Sequence, residues 1–120
     1  MSDYHYDAVL REVHDGDTVT VDIDLGFDCW HQGMHIRMFG INAPELTIVG
    51  GAGLAAREHL LHLLTPSTGL VLESIRDRAD KYGGRYLGKL WLPGRTMSVN
   101  DQMIADGHVK PWDGQGRKPV

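Results

Sequence analysis

The sequence predicts a mainly β fold with two helices, in the α+β class, and three observations favour it. Residues Thr18–Leu25 alternate strictly between apolar and polar side chains, as a strand with one buried face requires. Four further segments have the composition and turn boundaries of strands, and two others are typical of helices. A chain of 120 residues can bury one core without disulfides, which a single cysteine could not form.

The first three predicted strands follow one another closely. Strand Tyr4–Val13 turns at Asp15-Gly16 into the strand Thr18–Leu25. A third strand is predicted over Met34–Ile41, with residues 26–33 as either a hairpin loop or an extension of that strand. Alternation places an apolar face on this strand at Met34, Ile36 and Met38, and the opposite face at His35, Arg37 and Phe39. Three consecutive strands therefore form the N-terminal half.

The C-terminal half adds two helices and two strands. Pro44 ends the first sheet run because proline cannot donate to a ladder. The spacing of Ser98 and Asp101 is that of a capping box, which opens a short helix closed by Gly107. Three strands, a helix, two strands and a helix is the order of a five-stranded OB-type barrel, a fold that commonly binds oligonucleotides. The remaining predicted elements are a helix over Leu54–Leu64 and strands over Gly69–Asp77 and Tyr86–Leu92.

Charge and hydropathy exclude some classes of protein. A net charge of −4 argues against bulk electrostatic capture of nucleic acid. Residues 1–28 carry eight acids and one base, whereas residues 29–120 carry eight acids and eleven bases, an asymmetry that suits a cation meeting a polyanion. The charge-free runs Leu46–Ala56 and His59–Leu72 are both shorter than the ~18 residues that span a bilayer. The N-terminus lacks the features of a signal peptide, so we expect a cytoplasmic protein without membrane partners.

Two short segments carry hard oxygen ligands. Asp15 and Asp17 flank a glycine at the start of a strand, while Asn42 and Glu45 stand where the third strand breaks. If these segments are neighbours, Asp17, Asn42 and a freed backbone carbonyl can converge on Ca²⁺ or Mg²⁺. The alternative is an ordinary Asx hairpin turn.

The opposite charge comes from two arginines. Arg37 lies on the third predicted strand, and Arg85 follows a Gly-Gly hairpin. Two guanidiniums can clamp a phosphate and neutralise charge that grows at phosphorus in the transition state. Residues 76–89 hold five bases and two acids, enough to guide a strand of nucleic acid, although a solvated charged hairpin has the same composition.

Four segments, taken in order, resemble the staphylococcal nuclease (thermonuclease) family over roughly residues 6–112. They are D-G-D-T, R-M-F-G-I-N-A-P-E, D-K-Y-G-G-R and S-V-N-D-Q-M-I-A-D-G. The resemblance implies a single OB-fold nuclease domain over residues 1–112, with residues 113–120 as a flexible tail and without the third C-terminal helix of the family. It also implies Ca²⁺-dependent, alternatively Mg²⁺-dependent, hydrolysis of DNA and RNA that leaves a 3′-phosphate and a 5′-hydroxyl.

The resemblance also implies a role for each matching residue. These are Asp17, Asn42 and the Ala43 carbonyl as metal ligands, Glu45 as general base or as the group that orders the attacking water, Arg37 and Arg85 as phosphate ligands, and Asp15 as a residue beside the ligands that orients them or water. Weaker candidates for substrate binding are Lys81, Tyr82 and Trp112, of which the two aromatics can instead pack over the barrel rim.

Several departures from the family pattern affect these expectations. Asn42 is neutral where the family often has a carboxylate, so metal affinity is expected to be lower or to shift towards Mg²⁺. An additional glycine precedes Arg85 and changes its reach. The missing third helix leaves open that a second copy replaces it, giving a homodimer.

Two alternatives stay open at this stage. Cys29, His31 and His35 in the long hairpin can ligate Zn²⁺, although surface positions without a metal have the same pattern. The domain itself can be a non-catalytic OB-fold module that binds nucleic acid or peptide. Retention of Asp17, Glu45 and both arginines favours the enzyme over that module.

Overall fold

The computed structural model describes residues 4–46, 51–64, 69–75 and 86–112. In these ranges five strands close a barrel, and two short strands form a separate pair. The elements are β1 (His5–Asp15), β2 (Thr18–Gly26), β3 (Cys29–Met38), β4 (Ile41–Asn42), α1 (Ala52–Leu64), β5 (Leu70–Ile75), β6 (Tyr86–Trp91), α2 (Val99–Ala105) and β7 (Lys110–Pro111).

The strand order around the barrel is β1-β2-β3-β6-β5, and pairing of β5 with β1 closes it. All neighbours are antiparallel except β3 and β6, which run parallel. This mixed barrel with two helices confirms the predicted OB-type α+β fold. In the described ranges, neither helix is both long enough and apolar enough to cross a membrane.

The strict alternation in β2 has the predicted effect inside the barrel. Val19, Val21 and Ile23 are buried, as their spacing predicts. Leu25 belongs to the same series but is half exposed, because β2 and β3 continue as a hairpin to a turn at Phe27 and Asp28. Both turn residues have positive φ, the conformation that matches the twist of a two-residue hairpin. The predicted core face therefore holds only as far as other elements cover it.

Strand boundaries differ most from prediction at β3. The predicted end at Ile41 is wrong, because β3 ends at Met38 and the chain turns at Phe39-Gly40. At its start the strand reaches back to Cys29. Of the two alternatives for residues 26–33, most of the segment is a strand extension. The outer part of a two-stranded hairpin has no buried face, so its sequence shows no apolar alternation.

The second helix begins as the capping spacing predicts. The Ser98 hydroxyl accepts a hydrogen bond from the Asp101 N–H at 3.1 Å. Asn100, buried on the same helix, fixes α2 to the barrel. Its Oδ1 accepts from the Leu90 N–H at 3.0 Å, and its Nδ2 donates to the carbonyls of Phe39 and Gly88. The helix thereby holds the chain where β3 ends and the candidate site begins.

Candidate functional site

The turn between β1 and β2 is held against the end of β3. The Asp17 N–H donates to Asp15 Oδ1 at 3.0 Å, and the Met38 N–H donates to the Asp17 carbonyl at 2.7 Å. A Cβ at Gly16 would lie 2.7 Å from the Ala56 Cβ and 2.8 Å from the Ala43 Cβ. Only glycine lets this turn approach both α1 and the segment after β4.

The carboxylate of Asp17 joins the two segments that the sequence marks as oxygen-rich. Its Oδ2 accepts from the Ala43 N–H at 2.8 Å, and its Oδ1 accepts from the Thr18 hydroxyl at 3.0 Å. Burial raises the pKa of Asp17 to about 6, and a hydrogen bond with the Asp15 carboxyl acts in the same direction. The Arg37 guanidinium and the Ala43 N–H oppose that rise in pKa.

Arg37 is buried, although strand alternation predicts it on the polar face of β3. Its Nη1 donates to the carbonyls of Met38 and Ile41, at 3.0 and 2.9 Å. Its Nη2 donates to Asn42 Oδ1 at 3.3 Å and lies 3.3 Å from Asp17 Oδ2. The guanidinium therefore fixes the β3–β4 turn and the Asp17 carboxylate together.

Glu45 follows this cluster and is exposed to solvent. Among the described residues, its side chain makes no hydrogen bond or ion pair. Its backbone is tightly fixed, because a Cβ at Gly53 would overlap the Glu45 carbonyl and lie 2.8 Å from the Leu46 nitrogen. The start of α1 thus supports the segment that carries Glu45.

The family model described as staphylococcal nuclease homologue matches residues 35–113, about two thirds of the chain. The chain belongs to the staphylococcal nuclease family. No curated protein matches the sequence. Asp15 and Asp17 precede the matched region, and the contacts of Asp17 with Met38, Arg37 and Ala43 are what join them to it.

The side-chain oxygen atoms around Asp17 are of the kind that binds hard cations such as Ca²⁺ and Mg²⁺. Asp17 offers a carboxylate and Asn42 an amide oxygen, both ligands that Ca²⁺ and Mg²⁺ accept. Within the described ranges no three His, Cys, Asp or Glu side chains gather around one point. The Ala43 N–H, and not its carbonyl, makes the contact with Asp17. Of the two alternatives left open for Cys29, His31 and His35, the same finding favours surface positions without a metal, because these three side chains do not gather.

Trp112 lies next to Arg37, with its ring centroid 6.0 Å from the guanidinium carbon. The backbone N–H of Trp112 donates to the Gly40 carbonyl at 2.8 Å, and this bond fixes the residue over the β3–β4 turn. This position agrees with packing at the barrel rim, and stacking on a base stays a prediction. The remaining substrate-contact candidates Lys81, Tyr82 and Arg85, and the tail 113–120, lie outside the described residues. A homodimer also stays a prediction.

Two residues that support the site, Thr18 and Gly53, were not identified from the sequence. The Thr18 hydroxyl donates to Asp17, and its signal is a short hydroxyl directly after the acid at the start of β2. Gly53 stands near the start of α1, where alanine has the higher helix propensity. A glycine at such a position indicates a close backbone approach, which Glu45 supplies.

Proposed function

We propose that this domain is a metal-dependent nuclease that hydrolyses phosphodiester bonds of DNA, RNA or both. The observation that carries the proposal is the hydrogen bond from the Ala43 N–H to Asp17 Oδ2, at 2.8 Å. This hydrogen bond joins the D-G-D-T turn to the N-A-P-E segment. It attaches the buried carboxylate of Asp17 to Ala43, two residues before the exposed Glu45. Membership of the staphylococcal nuclease family supports the same class of chemistry.

The proposed reaction is attack of water on phosphorus. Glu45 orients the water and accepts its proton as the new P–O bond forms. The bond from phosphorus to the 5′ oxygen breaks, and that oxygen takes a proton from solvent and leaves as a hydroxyl. One product strand carries a 3′-phosphate and the other a 5′-hydroxyl. An exposed carboxylate beside a rigid, buried cluster is suited to this task.

Asp17 and Asn42 are the residues that would hold the divalent ion. When bound, such an ion supplies polarisation of a phosphoryl oxygen. Asp17 is oriented for this by three donors: the Thr18 hydroxyl, the Ala43 N–H and the Arg37 guanidinium. Preorganised ligands of this kind do not have to be reoriented during the reaction.

Arg37 acts in this proposal chiefly by positioning. Its Nη atoms already contact two carbonyls, the Asn42 amide and the Asp17 carboxylate. A guanidinium with these partners places positive charge near the reacting phosphate while it keeps its buried contacts. Direct binding of the phosphate is proposed for Arg85, on the resemblance of its segment to the family motif.

Cleavage assays test the activity directly. Single- and double-stranded DNA and RNA would be incubated with the full chain in Ca²⁺, Mg²⁺, Mn²⁺ or EDTA, with end-group analysis of the products. We expect cleavage with a divalent ion, 3′-phosphate ends and loss of activity in EDTA. Binding of nucleic acid without cleavage under every ion would support the non-catalytic module and overturn the proposal.

The role of Glu45 is tested with Glu45→Gln and a matched control, Glu58→Gln, on the exposed side of α1. Removing the proton acceptor should lower kcat by roughly 10² or more while leaving the Kd for substrate nearly unchanged. The control should retain the parent rate. Equal rates for the parent and Glu45→Gln would place the general base elsewhere.

A further inference from the structure

A second polar cluster lies on the outer face of the barrel, separate in chemistry from the oxygen-rich site. Strand register places Glu12 of β1 opposite Thr20 of β2, and Thr20 opposite His35 of β3. His14 stands two residues after Glu12 on β1. Side chains two residues apart on a strand share a face, so these four residues form one surface cluster across three strands.

Two imidazole nitrogens in this cluster point at the same atom. Thr20 Oγ1 lies 2.6 Å from His14 Nε2 and 2.9 Å from His35 Nδ1. The two ring centroids are 5.6 Å apart and the ring planes are inclined at 53°. The single hydrogen of the Thr20 hydroxyl can be donated to only one of these nitrogens, so the other carries a hydrogen of its own. For both to bind one metal ion, small side-chain rotations must occur and that hydrogen must move to the other nitrogen of its ring.

The carboxylate of Glu12 lies beside the ring nitrogen of His14 that faces away from Thr20. The distance from Glu12 Oε2 to His14 Nδ1 is 3.2 Å. A carboxylate at this position favours the neutral tautomer with its hydrogen on Nδ1, which leaves the lone pair on Nε2, the atom that faces Thr20. A carboxylate that accepts from the far nitrogen of a histidine is the usual outer partner of a metal-binding imidazole.

We propose that His14 and His35 bind a divalent transition metal ion, Zn²⁺ in particular. Glu12 orients the His14 ring through its contact with Nδ1, the nitrogen that does not bind the ion. Zn²⁺ takes imidazole nitrogens at about 2.0–2.1 Å in tetrahedral geometry, and the Thr20 hydroxyl or water can complete the set. The side chains of His14 and Glu12 are 36% and 61% exposed, so an ion can enter from solvent. Nitrogen ligands distinguish this site from the Ca²⁺-type oxygen ligands around Asp17.

A metal ion at this position would join β1 to β3 across β2. Because it binds the folded arrangement and not the separated strands, it would stabilise the barrel by mass action. The predicted effects are therefore saturable Zn²⁺ binding and a Tm that rises with Zn²⁺ concentration. Neither effect depends on nuclease activity, so this proposal and the proposed function can fail independently.

The test uses the full chain with Cys29→Ser as the parent, which removes the exposed thiol as a competing ligand. Calorimetric titration with ZnCl₂ should give saturable binding that His14→Ala and His35→Ala each weaken at least tenfold. His31→Ala is the matched control, since it removes an exposed imidazole from the same strand as His35. It should leave the Kd unchanged. Glu12→Gln should weaken binding about tenfold through the orientation of His14.

Two further measurements make the result decisive. The Tm of each variant in EDTA should match the parent, because these side chains are at the surface. Long-range ¹H–¹⁵N spectra of the imidazoles should show Zn²⁺-dependent shifts at the ring nitrogens of His14 and His35. Absence of saturable binding by the parent, unchanged affinity in His14→Ala, or loss of binding in His31→Ala would each overturn the proposal.

Discussion

The carboxylate of Asp17 and the guanidinium of Arg37 lie 3.3 Å apart, and their side chains are only 9% and 6% exposed. Each partner also fixes backbone: Asp17 accepts from the Ala43 N–H, and Arg37 donates to the carbonyls of Met38 and Ile41. The pair therefore organises the turn after β3 as well as the candidate ligands. Substitutions of either partner are expected to affect stability and activity together.

Arg37→Ala should destabilise the fold by about 3–5 kcal/mol, because it leaves the buried Asp17 carboxylate without its counter-charge. Arg37→Lys should lose less, since an ammonium keeps the charge but cannot contact two carbonyls and two side-chain oxygens at once. Urea unfolding of both variants provides the measurement, with exposed Arg95→Ala as the control for removing a positive charge. A loss below 1 kcal/mol in Arg37→Ala would mean that the pair does not hold the turn.

The stability of the metal-free protein should fall as pH rises from about 4 to 6. Burial raises the pKa of Asp17 from 3.8 to about 6, so in this interval the folded chain holds a proton that the unfolded chain has released. This contribution is complete below the unfolded pKa and is lost as pH rises through the folded one, by at most about 1.4 kcal/mol per pH unit. Urea unfolding in EDTA would compare the parent with Asp17→Asn, in which the slope should be smaller. Identical slopes would contradict the assignment to Asp17.

Much of the barrel was predictable, because buried strands leave a periodic pattern. Val19, Val21 and Ile23 alternate with polar residues and are buried. Ser98 was likewise predictable as a helix cap from its spacing to Asp101. The short pair β4–β7 was not, since two-residue strands have no period and β7 contains Pro111, which cannot donate to a ladder.

The structure brings three of the predicted site residues together, and their roles stay predictions. The environment of Arg37 differs from what the sequence indicates. Asp17, Asn42 and Ala43 were expected to converge, and contacts through Asp17 and Arg37 connect them. The alternation on β3 indicated that Arg37 faces away from the core and is exposed. Alternation assigns a residue to a face of the strand, but it does not show whether other segments cover that face at the end of the strand. The turn after β3 and Trp112 close over that end and bury the guanidinium.

Gly53→Ala should lower kcat by about tenfold or more, even though alanine is the better helix former by about 1 kcal/mol. The new Cβ would overlap the Glu45 carbonyl, so the backbone at Glu45 or at the start of α1 would have to shift. A displacement near 1 Å at a catalytic group can cost on the order of 10² in rate. Rates and urea unfolding of this variant would be compared with Gly69→Ala, where an added Cβ meets nothing within 4 Å. Full activity in Gly53→Ala would separate Glu45 from the chemistry.

Asn42→Asp should tighten Ca²⁺ binding by at least about tenfold, because ligand charge count tunes calcium affinity. The Asn42 Oδ1 that would carry the new charge lies 3.3 Å from Arg37 Nη2, on the same guanidinium that contacts Asp17. Arg37 will compete with the ion for the added carboxylate. We expect the ion to win, since it has two charges and Arg37 has one, which it already shares with Asp17.

The opposing effect of this substitution is repulsion between the added charge and a nucleic-acid polyanion when the ion is absent. Calorimetric Ca²⁺ titration without substrate separates the two effects, and the ion dependence of the rate then shows their balance. Gln32→Glu is the matched control, because it converts an exposed amide on β3 into a carboxylate with the same change in net charge. Tighter binding in Asn42→Asp alone would support residue 42 as a direct ligand. Equal tightening in both variants would reduce the effect to net charge, and unchanged or weaker affinity would remove residue 42 from the ligand set.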